Sequence, residues 1–209
     1  MPPTANAWYR RNEFVAGRWW RMRCYFDDRF PDGHVVAPDE DPGDLRGVPE
    51  IWHTDVDANG RLVITVNDWA APGAPDCWYV SIVSTVSERP TATIVAYPSA
   101  HFNPGTVITD REFFGLPVRN DEQVGALRWY RAEAVVEQVY VTPELRRQYM
   151  ATKIIYVASA FHQANGWVGR LHSDGRRTDL GEQLVVGLRH TVRIAPLEHR
   201  MAPMDPDPS

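Results

Sequence analysis

The stretch from Val135 to Trp167 constrains the fold more than any other part of the chain. Val135-Val136-Glu137-Gln138-Val139-Tyr140-Val141 is rich in β-branched residues, which predicts a strand. Thr142-Pro143-Glu144 ends it, because proline cannot donate to a ladder and biases the residue before it to extended geometry. From Leu145 the period changes. Ala151, Ile154, Ile155, Ala158 and Phe161 recur at helical spacing, and Asn165-Gly166 supplies a left-handed stop. Arg146 and Arg147 fall where this helix begins, so free backbone N–H groups and two guanidinium groups share one spot, a candidate anion site.

The rest of the chain reads as strands and turns. Trp19 to Phe26 predicts a strand, followed by an acidic loop through Asp27-Asp28 and Asp39-Glu40-Asp41. The runs around Ile51 and Leu62 flank Asp57-Ala58-Asn59-Gly60, a hairpin signal because Asn-Gly accepts the positive φ angles of a tight turn. Residues 69–75 form an Ala/Pro/Gly connection, and two further β-branched runs, 79–86 and 91–97, turn at Ser87-Glu88-Arg89-Pro90. Residues 98–120 are irregular, with one helical turn near Asp110 to Phe114. A helix is predicted over 178–188, capped by Thr178, and a last strand over 190–195. The division expected is a β-rich N-terminal extension (1–75), a second domain (76–200) and a proline-rich acidic tail (201–209).

Composition narrows the function classes. The formal charge is −5, so the chain carries no general nucleic-acid footprint. No apolar run reaches about 18 residues, so no membrane span is expected, and Met1-Pro2-Pro3-Thr4 lacks the plan of a signal peptide. Six of the eight tryptophans lie within the first 80 residues, where they serve either a core or a protein interface. Cys24 and Cys77 match no metal spacing and read as two free buried thiols or a single bridge. The seven histidines show no ligand spacing either, so no metal is expected; His162 reads as a helix-end cap.

The segment from Val139 to Thr152 resembles the acyl-CoA-binding segment of the GNAT acetyltransferase superfamily, in which a strand runs into an Arg/Gln-x-x-Gly-x-Gly/Ala turn at a helix start. Val124 to Tyr130 resembles the strand leading into it, and residues 171–182 resemble the last strand-to-helix segment of a subgroup common in high-GC bacteria and their phages. The resemblance covers about residues 122–190. It implies an α/β (equally α+β) fold: a mixed, mostly antiparallel sheet with few helices. It also implies that Arg146, Arg147 and the amides of Met150 and Ala151 would hold a CoA pyrophosphate, with Glu137 as general base. Read by alternation, Glu137 shares a half-buried face with Val139 and Val141. Alternatively, Glu137 is a solvated carboxylate, and the two arginines bind neighbours such as Glu144.

The sequence departs from the family pattern in three ways. Tyr149 occupies the first glycine position, no tyrosine acid lies between Thr178 and Leu188, and no pair of helices precedes Val124. The expectation is therefore a non-catalytic structural or interaction module without cofactor, in a phage virion (tail) or the cytoplasm. It would meet protein partners through its tryptophan-rich N-terminal region as an assembly subunit or homo-oligomer. The alternative is an acetyl-CoA-dependent N-acetyltransferase of unknown acceptor. Two local patterns read as chance. Asp55-x-Asp57-x-Asn59-Gly60 mimics a calcium loop but has Val66 at its twelfth position, and Ser173 beside His172 and Asp174 lacks a nucleophile elbow.

Overall fold

Ten strands form one sheet in the computed structural model, which describes residues 6–86, 88–98, 100–187 and 193–201. In chain order they are Asn6–Val15 (β1), Trp19–Asp27 (β2), Val35–Val36 (β3), Glu50–Val56 (β4), Leu62–Val66 (β5), Cys77–Ser84 (β6), Thr91–Pro98 (β7), Thr106–Thr109 (β8), Gly125–Tyr130 (β9) and Val135–Val141 (β10). Their order across the sheet is β10-β9-β7-β6-β8-β5-β4-β2-β1-β3, and all neighbours are antiparallel except β1 with β3 and β6 with β8. Three helices accompany the sheet: Asp110–Phe113 (α1), Met150–Ala164 (α2) and Asp179–Gly187 (α3). The class is mixed α+β, with a large, mostly antiparallel sheet. The predicted tail beyond residue 201 and residues 190–192 of the predicted strand 190–195 lie outside the described residues; of the rest, Ile194 makes only an isolated parallel bridge with Ser173.

One helix organises the sheet. α2 packs against β2, β4, β5, β7, β9 and β10, which span eight adjacent positions in the strand order. Seven inter-strand gaps measure ~34 Å across a flat sheet. The 15 residues of α2 extend only ~22 Å. A flat sheet could not present all six strands to the helix, so the sheet curls around it. The concave side holds the main core, including Tyr9, Trp52, Trp129 and Phe161. Two satellite clusters cover parts of the convex side: Trp78 and Tyr97 under α1 and the 98–118 segment, and Trp8 and Tyr25 under the 30–48 loops.

The boundary expected near residue 75 falls inside this sheet. β5 pairs with β8, and the core of α2 takes side chains from both sides of that position. Lys153, the only lysine, crosses the connection as well; its ammonium donates to the carbonyls of Ala74 and Pro75 and reaches Asp76 at 3.2 Å. The strand at Thr106–Thr109 was not legible, because it is four residues long and directly follows Gly105. That glycine has φ +84°, and a Cβ there would stand 2.3 Å from the Ile64 carbonyl oxygen, so only glycine lets β8 reach β5.

The helix predicted from Leu145 begins instead at Met150. Pro143–Leu145 makes a single 3-10 turn, and Arg147 and Tyr149 are left-handed at φ 64° and 56°, which an α-helix of L-residues cannot propagate. Its end is as predicted, with Gly166 at φ +68°. His162 corrects the reading of a charged cap. It is fully buried, its Nδ1 accepts from the Trp129 indole at 3.2 Å, and its Nε2 therefore donates to the Val168 carbonyl at 3.0 Å.

The ends of the described chain are joined by a buried ion pair. Arg193 meets the Asp32 carboxylate at 3.1 Å and donates to the Tyr9 hydroxyl and the Ala7 carbonyl, while Asp32 also binds Arg170 at 3.0 Å. Desolvation pulls the Arg193 guanidinium down, but Tyr9 and Asp32 outweigh it and hold it above its ordinary value. Removing one partner of a buried pair strands the other charge, at about 3–5 kcal/mol. Asp32→Ala, which strands the buried Arg193 while the exposed Arg170 turns to water, should cost about that much in urea denaturation. Arg193→Met, which leaves Asp32 its Arg170, should cost clearly less.

His162 makes stability depend on pH. Burial lowers its pKa from 6.5 to about 4, whereas the unfolded chain protonates near 6.5. Between these values the unfolded state binds more protons, so stability falls as pH drops through the window. The contribution is about 3 kcal/mol, complete above pH 6.5 and lost near pH 4. His162→Gln should remove about that much of the stability difference between pH 7 and pH 4, read from chemical denaturation at both values.

Candidate functional site

The strand-turn-helix segment places its charged residues at the start of α2. Arg146 folds back and donates from Nε to the Val141 carbonyl at 3.3 Å, while Arg147 is exposed and has no ion pair among the described residues. Gln148 donates from its side-chain amide to the Glu144 carbonyl at 2.8 Å, and among the described residues the Glu144 carboxylate forms no ion pair with either arginine. Met150 is buried and Ala151 half-buried, so from these two positions only main-chain N–H groups could face a ligand. Tyr149 precedes the helix without capping it through its side chain.

The Tyr149 ring is 46 % exposed and lies outside the core clusters. Its main chain adopts the left-handed conformation that a glycine would supply at this position. Only the side chain departs from what such a turn needs.

β10 is the edge of the sheet. Its outer side pairs only at Val135 and Val136, through a short parallel bridge to His172. From Glu137 to Val141 that edge has no ladder partner among the described residues. A bulge between Val136 and Gln138 breaks the alternation there. Val136, Val139 and Val141 face α2, but Glu137 does not share their face. It accepts a 2.7 Å hydrogen bond from Tyr130 and lies 3.9 Å from Arg128, on the convex side. That bond raises the Tyr130 phenol above its ordinary pKa, which leaves the proton on Tyr130. Glu137 is thus an exposed carboxylate, some four strand residues (~13 Å) from Val141. The structure brings Arg146, Arg147, Met150 and Ala151 together and leaves Glu137 apart.

The remaining candidates resolve into local structure. Asp57 accepts from the amides of Asn59 and Arg61, as a hairpin turn requires. Ser173 accepts from Ala195 and Arg177, His172 turns to the Arg170 carbonyl, and Asp174 pairs with Arg176, so no triad forms. Cys24 and Cys77 are free and buried, and burial pushes their thiols up to about 12 and about 11. Among the described residues no group of three His, Cys, Asp or Glu side chains could hold a metal, and no helix is long and apolar enough to cross a membrane. Most N-terminal tryptophans are core: Trp8, Trp19, Trp52 and Trp78 are buried, and only Trp20 and Trp69 are half-exposed.

Sequence reasoning missed a set of guanidinium–indole stacks. Arg18 lies 4.3 Å over Trp19, Arg11 4.7 Å over Trp20, and Arg131 4.4 Å over Trp167. Arg11 and Trp20 meet across the β1–β2 hairpin, whereas Arg131 and Trp167 are 36 residues apart, so no local motif announces the last pair. Compared with known proteins, the chain matches no family model, no curated protein and no solved structure.

A left-handed L-residue is strained by roughly 1–2 kcal/mol relative to glycine. Tyr149→Gly should therefore be about 1 kcal/mol more stable than Tyr149→Ala, which keeps the strain without the ring. Equal midpoints for the two variants in denaturant would mean the turn relaxes when the ring is removed.

Proposed function

We propose that the chain is a non-catalytic interaction module, one element of a larger protein assembly such as a phage particle. One observation carries this reading. The concave side of the sheet, where an enclosed substrate would sit, is occupied by α2 and large aromatic side chains. Two open clefts, of about 220 and 250 Å3, lie at the rim instead. Glu137 also sits across the sheet from α2, so the base and the candidate anion site do not converge. Surface recognition is what such a filled scaffold can offer.

A second reading, an acetyl-CoA-dependent N-acyltransferase, is favoured by one observation. The exposed Tyr149 ring and the unpaired edge of β10 leave room for a ligand along β10 toward the first turn of α2. Arg146 and Arg147 would then meet the pyrophosphate, beside the amides of Met150 and Ala151.

Calorimetric titration with acetyl-CoA separates the two. The interaction module should give no heat at millimolar ligand. Micromolar binding that disappears in Arg146→Ala would replace it with the acyltransferase reading.

A further inference from the structure

The rim cleft of about 250 Å3 lies where the loop after α2 meets β1 and the 33–35 segment. Its lining includes Arg11, Gln163, Trp167, Val168 and Arg170, and no aspartate or glutamate. Arg170 is matched by Asp32 at 3.0 Å, which leaves Arg11 as the lining cation without an ion pair among the described residues, in a chain of net charge −5.

The arginines here are arranged for a ligand from outside the chain. Arg11 lies 4.7 Å over Trp20, and Arg131, outside the lining itself, lies 4.4 Å over the lining residue Trp167; neither makes an ion pair among the described residues. The Nε of each is shielded from solvent and has no acceptor among those residues. Stacking fixes a guanidinium by its face, and with Nε shielded it is the two terminal nitrogens that can turn toward the two oxygens of a carboxylate. Asp32, the acid behind Arg170, already binds Arg193 as well. It lies on the protein side of the groove and cannot serve both arginines and the cleft.

The rim is apolar. Phe14 is 52 % exposed and packs on Trp20 at 5.1 Å, and Val168 is 84 % exposed. A free inorganic ion would make no use of that rim, and a nucleic acid would meet the repulsion of the whole acidic chain. Tryptophan and arginine at the centre with apolar neighbours is the composition of a protein-binding hot spot.

We infer that this groove docks a peptide segment of a partner protein in which an acidic residue adjoins an apolar one. The carboxylate takes the terminal nitrogens of Arg11, and the apolar side chain lies against Trp20, Phe14 and Val168. This rests on the interaction-module reading and gives it a location and a ligand chemistry.

The test uses the full chain and a set of acetylated, amidated decapeptides with alternating Asp or Glu and Leu or Phe. Binding is followed by calorimetry and by the indole N–H resonances of Trp20 and Trp167. Saturable binding that shifts both indoles is expected, weakened about tenfold in Arg11→Gln and in Val168→Asp, the latter an exposed position that spares the core. Lysine-for-acid peptides should not bind. Phosphate binding as tightly as the peptides, indifference to both variants, or silence from every acidic peptide would each overturn the groove. Those results leave acetyl-CoA binding unaffected, so a fault in the groove is distinct from a fault in the broader reading.

Discussion

Enclosure of α2 by the sheet is the constraint from which the rest of the architecture follows. A helix on a flat sheet buries one stripe and exposes the other. Here polar positions are drawn inside too: Thr152, Ser159, His162 and Gln163 are buried along with Ile154, Val157 and Phe161. Buried polar groups need partners, and the surrounding strands and loops provide them. Gln163 donates to the Gly169 carbonyl, His162 bridges Trp129 and Val168, and Ser159 meets the Tyr9 hydroxyl. These bonds fix the rotation of the helix, which apolar packing alone specifies poorly.

The same enclosure explains how the two halves of the sequence cohere. β1 and β2 reach the helix from one side and β9 and β10 from the other, so neither set of strands has a complete core alone. Polar ties repeat the pattern at the edges. Lys153 holds the connection between β5 and β6, and Arg193 returns to β1 through Asp32 and Tyr9. Each is a cation meeting several oxygens at once, the arrangement that lets a charge be withdrawn from water.

With the concave side filled, the candidate ligand-binding groups are those where elements end: the turn before α2, the open edge of β10, and the groove beside the loop after α2. Among the described residues, Arg11 and Arg131, stacked on indoles, differ from the arginines of the Asp32 cluster in having no carboxylate of their own. That difference, rather than arginine content, singles out the groove.

Much of the fold was legible in the sequence, because strands and helices write their period locally. The run at Val135–Val141, the hairpin turning at Asn59-Gly60, the 3.6-residue rhythm ending at Gly166 and the single turn at α1 appear as read. The late start of α2 was hidden by residues that are good helix formers held left-handed at Arg147 and Tyr149. The position of Glu137 was also hidden, since a bulge shifts the face of every residue before it relative to those after. Only the tertiary structure decided that one helix would be wrapped by strands from both halves, that most tryptophans would be core, and that Arg11 would meet Trp20 beside Trp167. Those outcomes depend on contacts between residues far apart in the chain, and a pattern of period two or 3.6 carries no information about which distant neighbour completes it.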